Sequence, residues 1–319
     1  MENLETSTPY DDVCRTLTVE CDDLVIPLIN EIFGKDYTLE DKIIRWGNEH
    51  FIEQQGGTEE KRITDGHLEI IKKSEQTGQH FHIECESSAG DHTILIRLVE
   101  YAFQIALDTG KTEDSSLTIE FPYSAVIYLR SRETTPSRSK IVLKTPGGEV
   151  SYEIPILQIK NYSLTDIFDK KLYFLIPFYL FCLEKDFPEI EQNEEKLAKL
   201  IETYTGIIAQ LERLVEEGTL SEFSYLTIRD MSNKVTANLA RKYKSIKERI
   251  GDIMGGKVLD YEAKQIRDAA RAEGWKRGME RGMEQMIIQM LQRGNTPEEI
   301  TLFSGIPLDD IKRVQEKLP

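Results

Sequence analysis

Polar and apolar positions divide the chain into a first half that mixes alternating and helical stretches and a second half that is helical in pattern. Within 22–55, Leu24, Ile26, Leu28, Ile29, Ile32 and Phe33, and later Ile43, Ile44 and Trp46, predict a mainly helical segment. Strands are predicted at about 67–73 and 79–86, and a short turn around Gln76-Thr77-Gly78 lets them pair as a hairpin. In the second strand, alternation puts Phe81, Ile83 and Cys85 on one face and His80, His82, Glu84 and Glu86 on the other. Thr93 to Asp108 reads as a strong helix with Ile94, Leu95, Leu98, Val99, Ala102, Ile105 and Ala106 on its apolar face. Its polar side carries Arg97, Glu100, Tyr101, Gln104 and Asp108. Residues 124–130 read as a buried strand, Pro136 and Gly147-Gly148 bracket another, and Val150 to Ile159 supplies one more. Together these predict an α/β core over about 20–160.

From Ser163 onward the period is helical. Leu172 to Leu183 is the longest apolar run, broken by Pro177, and fits a buried helix or helix pair. Helices are predicted at Asn193 to Glu217, Glu222 to Ser232 and Val235 to Ile253, and a long polar helix from Leu259 to about Arg293. Inside it Gly274, Gly278 and Gly282 recur on one face beside Met279, Met283, Met286 and Met290. That pattern reads either as a soft linker helix or as a self-association seam that would make the protein a homo-oligomer. Thr296, Pro297 and Glu299 form the grammar of a capped helix start. That helix stops at Gly305, and a second begins at Pro307-Leu308-Asp309-Asp310, a helix-turn-helix-like pair. Its charges are balanced rather than basic, which favours protein contact over DNA reading.

With 319 residues the chain is long enough for about two domains. Its net charge of −16 argues against a general polyanion-coating protein. Two stretches could still line a local basic cleft: Arg130, Arg132, Arg138, Lys140 and Lys144, and Lys234, Arg241, Lys242, Lys244 and Lys247. A solvated face is the blander reading of each. Cys14, Cys21, Cys85 and Cys182 show no CxxC pairing, so free thiols in a reducing cytoplasm are expected. The start, Met1-Glu2-Asn3-Leu4-Glu5, is polar and unlike a signal peptide, and no run is long enough to span a bilayer. A soluble, cytoplasmic protein with no membrane partner is expected.

The chemistry concentrates on the hairpin. Asp65, in Ile63-Thr64-Asp65-Gly66-His67, opens its first strand, and Glu84 sits on the second, so pairing can bring the two acids close. Both suit Mg²⁺ (or Mn²⁺ or Ca²⁺), which takes hard oxygen ligands, and the Cys85 backbone carbonyl is a third candidate donor. Such an ion would serve phosphodiester hydrolysis by activating water and neutralising charge. Glu86 could be a further ligand or a base, Glu49 and Glu31 are possible upstream acids, and Arg97, Tyr101 and Gln104 could present donors to a phosphate. Arg97 could equally pair with Glu100 or Glu84 and only steady the helix. All five histidines fall between His50 and His92, and His80 with His82 offers a rival zinc pair, Asp65 or Glu84 being its third ligand.

On Asp65, on Ile83-Glu84-Cys85-Glu86-Ser87 and on Ile96-Arg97-Leu98-Val99-Glu100-Tyr101, the chain resembles the recombination-promoting nuclease/transposase (Rpn) family of the PD-(D/E)XK nuclease superfamily. The likeness extends through Tyr162-Ser163-Leu164-Thr165-Asp166-Ile167-Phe168-Asp169-Lys170-Lys171-Leu172, Met254-Gly255-Gly256-Lys257-Val258-Leu259 and Glu273-Gly274. It implies a restriction-endonuclease-like core, a mixed sheet flanked by helices, over 20–160, with a helical region packing on it over 161–256. The glycine-repeat helix and small tail follow over 257–319. It further implies a metal-dependent DNA endonuclease linked to recombination or mobile elements, with Asp65 and Glu84 as the two metal-binding acids. The position that holds lysine in the superfamily, and often glutamine in the family, is Glu86 here. That departure leaves two alternatives open: a DNA-binding or regulatory protein on an inactive nuclease scaffold, and a helical assembly or adaptor protein.

Overall fold

The computed structural model describes residues 9–45, 49–53, 59–63, 66–88, 93–255, 283, 286–288, 290–291, 295–304 and 306–315. Two units separate at residues 260 and 261. In the first, the strands β1 (Lys42–Arg45), β4 (Gly66–Ile71), β5 (Gln79–Glu86), β8 (Tyr123–Tyr128), β9 (Arg138–Thr145) and β10 (Gly148–Gln158) form a six-stranded sheet in the order β1-β4-β5-β8-β10-β9. β1–β4, β4–β5 and β10–β9 are antiparallel, whereas β5–β8 and β8–β10 are parallel. A parallel step needs a crossover. Between β5 and β8 it is supplied by helix α3 (Ile94–Asp108) and the small hairpin of β6 (Lys111–Glu113) and β7 (Ser116–Thr118). A second hairpin, β2 (Glu49–Glu53) with β3 (Glu59–Ile63), forms its own two-stranded sheet.

Helices cover both faces. On one, α1 (Pro9–Glu20) and α2 (Asp22–Phe33) lie over the apolar residues of the central strands. Phe33 packs on Phe81 and Tyr123, and Thr18 of α1 sits against Gly66 at the start of β4. On the other, α3 buries Ile94 and Leu98 against Val126, Tyr128, Ile141 and Ile154. The mixed α/β architecture expected from the pattern is therefore present, with α3, the hairpin of β4 and β5, and strands β8 to β10 at the anticipated places.

Several elements depart from expectation. The helix predicted through residue 55 ends at Phe33, where Gly34 adopts a left-handed conformation (φ 63°) and its N–H caps Asn30. Glycine takes that conformation without steric cost. Ile43 and Ile44 then enter β1, the edge strand paired with β4, and Trp46 lies outside the described residues. Helix α1 was not foreseen, although Asp11 and Asp12 in its first turn and buried Val13, Cys14 and Leu17 carry its signature. Cys14 and Cys85 are not free thiols but a disulfide joining α1 to β5, while Cys21 and Cys182 are free. A separation of 71 residues leaves no local spacing to betray that pair.

The helical half of this unit comprises α4 (Leu164–Asp169), a 3₁₀ segment (Tyr173–Asp186), α5 (Phe187–Gln192), α6 (Glu194–Glu216), α7 (Glu222–Leu239) and α8 (Lys244–Gly255). The apolar run is thus 3₁₀ rather than α-helical, with Phe174, Leu175, Ile176 and Phe178 fully buried. The break placed before Val235 falls instead after Leu239, because Ile228, Ser232, Val235 and Leu239 continue one buried stripe. This half is tied to the sheet and to the first two helices by polar contacts. Arg130 donates to both Glu184 oxygens (2.6 and 2.8 Å), Lys234 pairs with Asp12, and Asp23 accepts from Ser221 and Ser224. Glu31 accepts from Tyr162 (3.0 Å) and Lys170 (2.7 Å), and Ser163 and Asp166 form a reciprocal cap on α4.

In the second unit, α9 (Pro297–Ser304) and α10 (Leu308–Gln315) share a small core of Ile287, Ile300, Ile306, Ile311 and Val314. The capping box is made as predicted: Thr296 N–H donates to Glu299 (2.8 Å) and Glu299 N–H to Thr296 Oγ1 (3.3 Å). Met290 packs on that core, Met283 and Met286 are exposed, and Met279, Gly274, Gly278 and Gly282 lie outside the described residues. Among the described residues no helix is long and apolar enough to cross a membrane.

A Cβ at Gly66 would stand 2.5 Å from Thr18 Cγ2. Gly66→Ala is therefore expected to destabilise the protein by about 1–3 kcal/mol in urea unfolding. Adding Thr18→Ser, which removes the offending methyl and keeps the hydroxyl, should recover most of that loss. An unchanged midpoint for the single variant would mean that α1 does not press on β4.

Candidate functional site

Strand β5 is central in the sheet, and its two registers decide what meets on its polar face. Against β4, His67 lies opposite His82 and Glu69 opposite His80. Against β8, His82 lies opposite Ser124, Glu84 opposite Val126 and Glu86 opposite Tyr128. Cross-strand partners share a face, so this face carries His67, Glu69, His80, His82, Glu84, Glu86 and Ser124. Helix α3 covers part of it. Glu84 is 4% exposed, Glu86 7% and His82 0%, so two carboxylates occupy places where a buried strand ordinarily carries apolar groups.

Each carboxylate has a partner. His82 Nε2 stands 3.1 Å from Glu84 Oε1, and Ser124 Oγ is at a long 3.5 Å from His82 Nδ1. A carboxylate accepts only, which places the imidazole proton on Nε2 and leaves Nδ1 as an acceptor facing the Ser124 hydroxyl, which also reaches the Pro122 carbonyl at 3.4 Å. Tyr101 meets the His82 ring edge-on, centroids 5.7 Å apart. Glu86 accepts from Arg97 Nη2 (2.7 Å), from the Ser88 N–H (2.8 Å) and from the Ser88 hydroxyl (2.6 Å). Its neighbour Cys85 faces the other way into the disulfide, and its peptide lies in the ladder opposite Ile127.

Several expected site residues are placed differently from the sequence reading. Arg97 pairs with Glu86, the acid not named as its partner, and so joins two candidate residues in one ion pair. Tyr101 is buried against His82 rather than set on the polar side of α3, because that helix turns its 98, 101, 102 and 105 positions to the sheet. Gln104 donates to Asp108 (2.9 Å) one turn along α3. Glu31 is engaged by Tyr162 and Lys170, a tie between helices. Asp65 and the Glu49 side chain lie outside the described residues. His80 does not pair with His82: its Nδ1 is 3.3 Å from His67 Nε2, while His82 turns to Glu84. His67, Ser124 and the role of Tyr101 were missed by sequence reasoning. Setting the 67, 69 alternation against 80, 82 would have exposed His67; nothing local marks Ser124.

A hard divalent ion fits the donor chemistry of Glu84, a buried oxygen donor oriented by an imidazole, better than that of Glu86, whose oxygens are taken by Arg97 and Ser88. Among the described residues no three His, Cys, Asp or Glu side chains gather as a metal cluster. Among the described residues, five cations of the two basic stretches stand in ion pairs. Arg130 is held by Glu184, Arg138 by Glu153, Lys144 by Glu149, Lys234 by Asp12 and Lys244 by Glu248.

No protein-family model, curated protein or solved structure matches the chain.

Burial holds the His80 imidazole below its ordinary range, with Glu69 and Glu120 pulling the other way. The unfolded chain therefore binds more protons at this position just below about pH 6.5. Stability from this residue is intact above that pH and is lost as pH falls through it toward the depressed folded value. Urea unfolding of the wild type and His80→Asn between pH 5 and 8, in chelator, should show the wild-type curve falling more steeply on the acid side. Parallel curves would contradict the buried placement.

Proposed function

We propose that this protein is a metal-dependent phosphodiester hydrolase acting on DNA, on a restriction-endonuclease-like core, with Glu84 and Asp65 as the metal-binding acids. The observation that carries the reading is the buried polar face of β5: Glu84 lies within a sheet, beneath a helix, with His82 directing one of its oxygens. Retaining a carboxylate there costs several kcal/mol in desolvation unless it is compensated, so its presence asks for a use. The order of strands, hairpin β4–β5 followed by α3 and parallel β8, supports the same reading.

A Mg²⁺ or Mn²⁺ ion at Glu84 and Asp65 would neutralise phosphate charge and lower the pKa of a bound water. The chain's own contributions are these. His82 orients Glu84 and is itself fixed by Ser124 and Tyr101. Arg97 ties up Glu86, which makes Glu86 a support for α3 rather than a base. Gln104, bonded along the helix surface, is a helper only if DNA draws it away from Asp108. Self-association through the glycine-repeat helix and a cytoplasmic location belong to the same proposal.

One observation favours a second reading. Glu86, standing where the resembling superfamily holds its lysine, already accepts hydrogen bonds on both oxygens, from Arg97 and Ser88. That suits a DNA-binding scaffold without catalysis. A plasmid-nicking assay with and without Mg²⁺ or Mn²⁺ separates the two. The endonuclease predicts metal-dependent nicking that Glu84→Gln and Asp65→Asn each reduce by about a hundredfold or more. The scaffold predicts salt-sensitive DNA binding with no strand breaks, and cleavage that survives both substitutions would end the endonuclease reading.

A further inference from the structure

Outside the pair Glu84 and His82, the same sheet face holds a second constellation. His67 and Glu69 are alternate residues of β4, and His80 lies on β5 directly across from Glu69. His67 Nε2 and His80 Nδ1 are 3.3 Å apart, with ring centroids at 5.5 Å and planes inclined by 39°. Two nitrogens that each bind one zinc ion at about 2.0–2.1 Å, at a tetrahedral angle, stand about 3.3–3.4 Å from each other. The imidazoles are thus already spaced as two ligands of one ion. His67 is buried and His80 half-buried, so the pair has a fixed inner member and an outer member that solvent reaches.

We infer that His67 and His80 form a binding site for a borderline divalent transition ion such as Zn²⁺, distinct from the hard-ion site proposed at Glu84. Imidazole donors select such ions over Mg²⁺. In the ion-free protein one ring donates its N–H to the other; for the ion to take both facing nitrogens, that proton moves through solvent to the donor ring's far nitrogen, so each ligand remains a neutral imidazole and no net proton is lost. Glu69 is the carboxylate that the register sets beside the pair.

The test is calorimetric titration of the chelator-treated, full-length protein with Zn²⁺ in excess Mg²⁺. The expected result is one ion per chain, weakened about tenfold or more by His80→Asn and by His67→Gln, and unchanged in Glu84→Gln. X-ray absorption of the zinc-loaded wild type provides a readout that no variant's folding can disturb, and two imidazole ligands are expected. Absence of zinc binding, binding indifferent to both histidine substitutions, or binding lost with Glu84 instead would each overturn the assignment.

Discussion

Burying carboxylates in the middle of a sheet is the constraint around which this protein is arranged. An ionised carboxylate taken out of water costs several kcal/mol unless hydrogen bonds and opposite charge replace its hydration. Strand β5 buries two of them, Glu84 and Glu86, on one face. Their compensation comes from different elements: His82 and through it Ser124 for Glu84, and Arg97 with the Ser88 turn for Glu86. The position of α3 follows from this. Its Arg97 must reach Glu86 while its Leu98 and Ile94 enter the apolar cluster over β8 to β10, and its Tyr101 closes over His82. Packing and polar satisfaction select the same helix placement, a consistency expected of a specified structure.

The opposite face of the same strand does the anchoring. Phe81 and Ile83 are buried beneath α1 and α2, and Cys85 is bonded to Cys14 of α1. Helix α1 is in turn bound to α7 through Asp12 and Lys234, and α2 to α7 through Asp23 and the serines at 221 and 224. The helical half is thereby coupled to the strand that carries the acids through α1 and α2, and also through Arg130, which joins Glu184 to the Ser87 carbonyl just beyond Glu86. The tyrosine and lysine of the Tyr162 to Leu172 segment, part of the resemblance noted in the sequence, serve that coupling by holding Glu31.

How much of this was legible depended on range. The two faces of β5, the hairpin with β4 and the amphipathic α3 were readable because each rests on a local period, and the Thr296 cap because its grammar spans four residues. The end of α2 at Gly34 was overrun because isoleucines at 43 and 44 fit a helix or a strand equally well until β4 supplies a partner. Pairings set by tertiary geometry were not readable. Cys14 with Cys85, Arg97 with Glu86 and His80 with His67 join residues whose spacing carries no period. The shared face of the β5 candidates was legible in the sequence, whereas their partnerships were not.

The central claim is that Glu84 is kept buried to hold a divalent ion and not merely to be satisfied by His82. Crystals grown in Mn²⁺, with diffraction collected on both sides of the manganese absorption edge, test it at the atom concerned. The account predicts an anomalous peak in coordination contact with the Glu84 carboxylate, shared with Asp65. Glu84 still closed on His82, with no peak in contact with it at saturating Mn²⁺, would contradict it.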